Sequence, residues 1–183
     1  MKVYIDTGVI ISSYKPNEKS YKASLQIAKL NTITKVGSYI LIVELFSTIS
    51  RLYKASQIKI PLPIRKILLK LSEKERIYAI VNAMILDWNL FCPDIGFEVK
   101  QLKLKDFSIL IPEALLESCI IAPLLHLKTL DLMHIAFAKI INETTQDLKY
   151  FITLDQNILN NRDKIKRIAK FQTLTPQEFL KHI

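Results

Sequence analysis

The chain is short of the residues that mark several common functional classes. It has only three glycines in 183 residues, and none belongs to a Gly-x-x-x-x-Gly-Lys loop of the kind that cradles nucleotide phosphates. Scarce glycine with a composition half hydrophobic excludes a disordered chain and favours helices over a loop-rich all-β fold. The two cysteines, Cys92 and Cys119, have neither metal-ligand spacing nor histidine company, so they read as buried thiols in a reducing compartment. No apolar run approaches the roughly 18 residues needed to cross a bilayer. The longest candidates, around Tyr39–Val43 and Ser118–Leu125, are interrupted by Glu44 and Pro123. The N-terminus is a short apolar strand with an acid at its end, not a signal peptide. A cytoplasmic protein without a membrane partner is expected.

Positive charge is plentiful. The 26 Lys and Arg residues exceed the 17 Asp and Glu residues, for a formal charge of +9. Basic proteins of this size often meet polyanions, because lysine and arginine release condensed counterions from a phosphate backbone. Charge by itself does not separate nucleic acid from an acidic protein or membrane surface.

The pattern along the chain alternates strands and helices. Lys2–Ile5 is a buried strand, residues 18–30 are helix-like, and Thr32–Val36 is β-branched. Ser38 is placed to cap an apolar helix to about Tyr53. Pro61 and Pro63 open a helical middle in which Ser72-Glu73-Lys74-Glu75 has the form of a capping box, followed by apolar periodicity to about Phe91. Phe97–Lys100 alternates with period two. Pro112 suits the first turn of a helix through Ile121, which Pro123 should break or kink. A helix from Thr129 to about Asn142 is apolar almost all round and should be buried. Lys149–Thr153 and Lys170–Leu174 are the last strands, the former leading to Asp155 and a short helix from Asn157. Pro176 opens a terminal helix. With no hairpin signal, no repeat and no linker, the chain predicts one domain over residues 1–183. Its architecture is a three-layer α/β/α fold with a central parallel sheet covered on both faces.

Carboxylates occur where a core should not tolerate them. Asp6 and Asp155 each follow an apolar strand, and ligands of parallel α/β sheets bind just beyond the carboxyl ends of strands. Glu44 interrupts an apolar helix and shares a narrow polar seam with Ser47, Thr48 and Arg51. Asp131 lies in the first turn of the apolar helix after Thr129, where the helix dipole favours its charge. Each acid alone has an ordinary explanation: Asp6 or Asp155 could cap a helix, Asp131 could be a helix-start acid, and Glu44 could pair with Arg51. Together they form a set of hard oxygen ligands suited to Mg²⁺ or Mn²⁺, with no cysteine or histidine set to suit zinc.

The segments Tyr4-Ile-Asp-Thr-Gly-Val-Ile-Ile, Ser38-Tyr-Ile-Leu-Ile-Val-Glu-Leu, Lys128-Thr-Leu-Asp-Leu-Met-His-Ile-Ala-Phe-Ala and Phe151-Ile-Thr-Leu-Asp resemble, in order, the four motifs of PIN-domain nucleases. The third is the most specific and is similar to the form seen in VapC-like toxins. The resemblance covers nearly the whole chain, with two departures: a longer helical insert, roughly residues 58–91, and Pro123 where the family has an unbroken helix. It implies a divalent-metal-dependent endoribonuclease with Asp6 and Asp131 as principal metal ligands and Glu44 and Asp155 completing the set. Thr7, Thr153 and Asn157 match polar supporting positions that orient carboxylates or water. The implied cofactor is Mg²⁺ or Mn²⁺, and the implied substrate is RNA cut to a 5′-phosphate and a 3′-hydroxyl. An antitoxin protein and a second copy of the chain are the implied partners. Arg51 and Lys15 are the nearest basic candidates by sequence. The resemblance is equally met by an RNA-processing nuclease without an antitoxin, or by a non-catalytic RNA-binding scaffold. Against the scaffold, negative charge packed where phosphate must approach would serve no binding module.

Other signals point to packing. His134, one turn after Asp131, reads as a hydrogen-bonded packing histidine; His126 and His182 read as incidental, and Trp88 as core. Asp6-Thr7-Gly8 matches the aspartic-protease triplet, but that chemistry needs two such triplets or a small all-β homodimer. A haloacid dehalogenase phosphatase would need an aspartate at position 8, which is glycine.

Overall fold

A computed structural model describes residues 1–55 and 68–183. The expectations attached to Pro61, Pro63 and the first part of the helical insert lie outside the described residues.

The central sheet has the order β2-β1-β5-β6, formed by β1 (Lys2–Ile5), β2 (Thr34–Val36), β5 (Leu148–Ile152) and β6 (Gln172–Leu174). Every pairing within it is parallel. Period-two alternation divides the strand side chains between two cores. Val3, Ile5, Ile152 and Leu174 face one, while Tyr4, Val36, Leu148 and Phe151 face the other. The first core is closed by α1 (Thr7–Ser12), α2 (Tyr21–Ala28), α3 (Tyr39–Lys54), α4 (Glu73–Asp87) and α9 (Pro176–Leu180). The second is closed by α5 (Glu113–Leu125), α6 (Thr129–Thr145), α7 (Gln156–Asn160) and α8 (Arg162–Ala169). This is the three-layer α/β/α arrangement expected from the alternating pattern.

Local chemistry sets the helix boundaries. Ser38 accepts from the Leu41 N–H at the start of α3. Ser72 with Glu75, and Thr175 with Glu178, form reciprocal capping boxes. Leu41, Leu45 and Ile49 repeat along one side of α3 with no exposed surface, each stabilising the fold by about 1.5–3 kcal/mol relative to exposure. The insert's described helix, α4, joins the same core through Ile80, Val81, Met84 and Trp88. The Trp88 indole N–H donates to Ser13 Oγ at 3.1 Å. α6 is buried over Leu132–Ala138, as its composition predicts. Among the described residues no single helix is long and apolar enough to cross a membrane.

Four expectations are corrected. A hairpin does exist: β3 (Val99–Leu104) pairs antiparallel with β4 (Phe107–Pro112) outside the main sheet. Its turn is Lys105-Asp106 with Lys105 at φ +20°, so the usual Asn-Gly or Asp-Gly signature is absent. Pro112 accordingly ends β4 and stands at the N-cap of α5, not inside its first turn. Pro123 does not break α5, which runs two residues further to Leu125 and closes on His126 in the left-handed region. Proline forfeits one intrahelical hydrogen bond, and so close to a helix end the loss is tolerated. Finally, the cysteines are not both buried. Cys119 is exposed and Cys92 half-buried, because Cys119 lies on a stretch of α5 whose solvent face remains apolar, with Ile120 and Leu124 also exposed.

Candidate active site

β1 and β5 are neighbours, yet the chain leaves β1 toward β2 on one side and β5 toward β6 on the other. That divergence is the switch point where a parallel sheet opens a crevice beyond its strand ends. Asp6 follows β1 directly and is 8 % exposed. It occupies the N-cap position of α1 without using its carboxylate as a cap. Instead Thr153, the first residue after β5, donates its hydroxyl to Asp6 Oδ2 at 2.6 Å. The Asp155 N–H donates in turn to Thr153 Oγ1 at 3.0 Å.

Glu44 approaches from α3, where Ser38 anchors the helix start. Its Oε2 lies 3.0 Å from His134 Nε2, and the same nitrogen is 3.9 Å from Asp6 Oδ1. His134 Nδ1 meets the Tyr4 hydroxyl at 2.9 Å, and that hydroxyl also bonds Ser38 Oγ at 2.6 Å. The Ser38–Tyr4–His134–Glu44 chain thus runs from the core to the crevice. Ligand atoms of Asp6, Glu44 and His134 all lie within 4.8 Å of one another. Asp131 stands one turn before His134 on α6, and one of its oxygens, Oδ2, is buried without a hydrogen-bond partner among the described residues.

These carboxylates press on one another. Burial raises the Asp6 pKa above the ordinary value, although His134 and Thr153 oppose it. Burial also raises that of Asp131, with the Asp155 and Asp6 charges adding to the shift. Glu44 moves the other way, held low chiefly by its hydrogen bond to His134. Burial works against a charged His134 ring, but the Glu44 hydrogen bond and the Asp6 and Glu44 charges outweigh it and raise the pKa. The Tyr4 phenol is kept neutral by complete burial.

The other expected site residues take different positions. Asp155 is outside the 4.8 Å group; its Oδ1 accepts from the Asn157 and Ile158 N–H groups and caps α7, while its charge still acts on Asp131. Asn157 supports Asp155 through its backbone, and its exposed side chain faces a neighbouring cleft. The Thr7 hydroxyl lies near the Glu44 carboxylate without closing a hydrogen bond. Lys15 is engaged with Glu18 at 3.0 Å. Arg51 makes no ion pair with Glu44 among the described residues; it lies along the polar seam beside Thr48 and acts on Glu44 only through its charge.

Two features escaped the sequence reading. His134, expected only to pack and hydrogen-bond, is buried and hydrogen-bonded but stands inside the acid cluster, with a ring nitrogen among the ligand atoms that lie within 4.8 Å of one another; its place one turn after Asp131 was the available signal. Tyr4 is the only strand residue between Val3 and Ile5 to face the second core, and nothing local distinguishes its hydroxyl from that of a core tyrosine.

The cluster is a candidate site for a divalent cation. Two carboxylates and an imidazole, those of Asp6, Glu44 and His134, converge; burial and neighbouring charges raise the Asp6 and Asp131 pKa values; and, among the described residues, one buried Asp131 oxygen lacks a donor. A hard cation would relieve all three conditions.

No protein-family model matches the sequence, and no curated protein matches it. Solved structures do. The chain aligns with the VapBC2 complex of Rickettsia felis bound to a DNA fragment from its promoter at TM-score 0.51 and 17 % identity, over 96 % of this chain and 98 % of that one. It aligns with VapBC-1 of nontypeable Haemophilus influenzae at TM-score 0.51 and 16 % identity, over 97 % and 99 %. Almost end to end, the chain is similar in fold to a chain of these complexes.

Proposed function

We propose that this chain is a Mg²⁺- or Mn²⁺-dependent endoribonuclease, the toxin component of a toxin–antitoxin pair, with residues 1–183 forming one nuclease domain. The observation that carries this reading is the convergence of Asp6 and Glu44, with the charge of Asp131 acting on both and its buried oxygen without a partner among the described residues. Asp6, Glu44 and Asp131 would hold the cation, and Asp155 would complete the negative field while capping α7. A divalent ion held there would activate water and neutralise charge on the phosphate. The protein's own groups do the positioning. Thr153 fixes the rotamer of Asp6, and His134, itself held by Tyr4, fixes Glu44. Thr7 stands beside the Glu44 carboxylate.

The fold likeness to VapBC complexes supports an antitoxin partner. So do the exposed apolar side chains Tyr39, Val43 and Phe97 near the start of α3. RNA as substrate is supported by the +9 charge, and a homodimer by the family resemblance. The test is RNA cleavage with Mg²⁺ or Mn²⁺, with and without EDTA, comparing wild type with Asp6→Asn and Asp131→Asn. Cleavage that survives chelation or both substitutions removes the mechanism. An adjacent small reading frame encoding an amphipathic segment separates a toxin from a processing nuclease.

A further inference from the structure

Beside the acid cluster lies a second concavity of about 280 Å³, lined by His126, Leu127, Lys128, Asn157, Asn160 and Asn161. Its walls share elements with the acid site. Lys128 immediately precedes α6, which carries Asp131 and His134, and accepts the Leu132 N–H on its carbonyl. The Asn157 N–H donates to Asp155 Oδ1 at 2.6 Å. The cleft and the acid cluster thus share the start of α6 and the turn from Asp155 into α7.

The lining is unusual for a surface dent. Asn157 and Asn160 are three residues apart on α7 and share one face. The Asn161 side chain is occupied, donating to the Asn157 carbonyl at 3.0 Å. Among the described residues, no hydrogen bond within the protein engages the side-chain amides of Asn157 or Asn160. The turn between α7 and α8 explains an asparagine at 161; it does not explain the other two. A side-chain amide carries a donor and an acceptor side by side, the pattern that reads the edge of a base. The His126 ring is exposed and offers a planar surface of the kind bases stack on. Lys128 is exposed and supplies a cation for a backbone phosphate.

We infer that this cleft is a base-reading subsite, in which Asn157 and Asn160 recognise one nucleobase of a single-stranded RNA while Lys128 holds its phosphate. The inference rests on the nuclease reading for its biological setting, but its test does not. The side-chain amide resonances of ¹⁵N-labelled protein, assigned with Asn157→Ala and Asn160→Ala, are followed in EDTA during titration with AMP, CMP, GMP, UMP and ribose 5-phosphate. At least one nucleotide should shift the Asn157 and Asn160 resonances, and ribose 5-phosphate should not. Asn160→Ala should weaken that nucleotide about fivefold or more with an unchanged thermal melt. Silence with all four nucleotides overturns the subsite, as does an equal response to ribose 5-phosphate. Shifts without RNA cleavage sustain the subsite and sink the nuclease; cleavage with silent resonances does the reverse.

Discussion

His134 Nε2 and Glu44 Oε2 lie 3.0 Å apart although 90 residues of chain separate them. The contact links α6 to α3 across the crevice and gives Glu44 a cationic neighbour whenever the ring is protonated. Its energetic sign depends on pH. The folded-state pKa of His134 is raised above the unfolded value, so its stabilising contribution is complete below about pH 6.5. That contribution is lost as pH rises through the raised value. Urea unfolding in EDTA should therefore show stability falling as pH rises above about 6.5, and His134→Gln should flatten the fall. An equal slope in the variant would dissociate His134 from the effect.

The raised pKa values of Asp6 and Asp131 run the same way in the metal-free protein. Each binds its proton more tightly when folded, so each costs stability as pH rises from about 3.9 through its raised value. Asp131→Asn should stabilise the metal-free protein at neutral pH, while abolishing Mn²⁺ binding by calorimetry. For wild type, Mn²⁺ at a hundredfold excess over Kd should add about 2.7 kcal/mol. A variant that melts lower without metal, or binds Mn²⁺ as wild type does, contradicts the cage.

Asp155 combines a cap with a charge, and two substitutions separate them. Asp155→Ser can still accept from the Asn157 and Ile158 N–H groups and should melt close to wild type. Asp155→Ala loses the cap and should cost about 1 kcal/mol. Both should cut RNA more slowly. Full activity in the serine variant would reduce Asp155 to a structural role.

Gly8 lies on the first turn of α1 with an exposed face, and a Cβ there would meet nothing nearer than Asp6 Oδ2 at 4.0 Å. Alanine is accommodated and should raise helix stability by about 0.8–1 kcal/mol. Gly8→Leu should keep the melt but lower Mn²⁺ affinity by covering the Asp6 carboxylate. Unimpaired binding in the leucine variant would mean that the cation approaches from elsewhere.

Tyr4→Phe removes a hydroxyl that serves both Ser38 and His134 in a fully buried setting. Leaving those partners unsatisfied should cost about 1–3 kcal/mol. A melt unchanged from wild type would show that neither partner depends on the phenol.

What the chain alone made legible was periodic. Val3, Tyr4 and Ile5 are apolar in succession because both faces of β1 are covered, and Ser72 with Glu75 closes a capping box within four residues. Such features arise from neighbours in sequence, so the sequence carries them. The acids at strand ends were legible for the same reason: Asp6 and Asp155 are conspicuous against the apolar runs before them. The β3–β4 hairpin was not, since a tight turn on Lys105-Asp106 lacks the glycine that usually reveals one. Only tertiary structure decided which carboxylates meet. Thr153 reaches Asp6 across 147 residues, His134 reaches Glu44 across 90, and Asp155 turns its oxygen to a helix cap. Side-chain direction, hydrogen-bond competition and the dielectric of a closed crevice are properties of packed neighbours, and they exist only once β1 and β5 lie side by side.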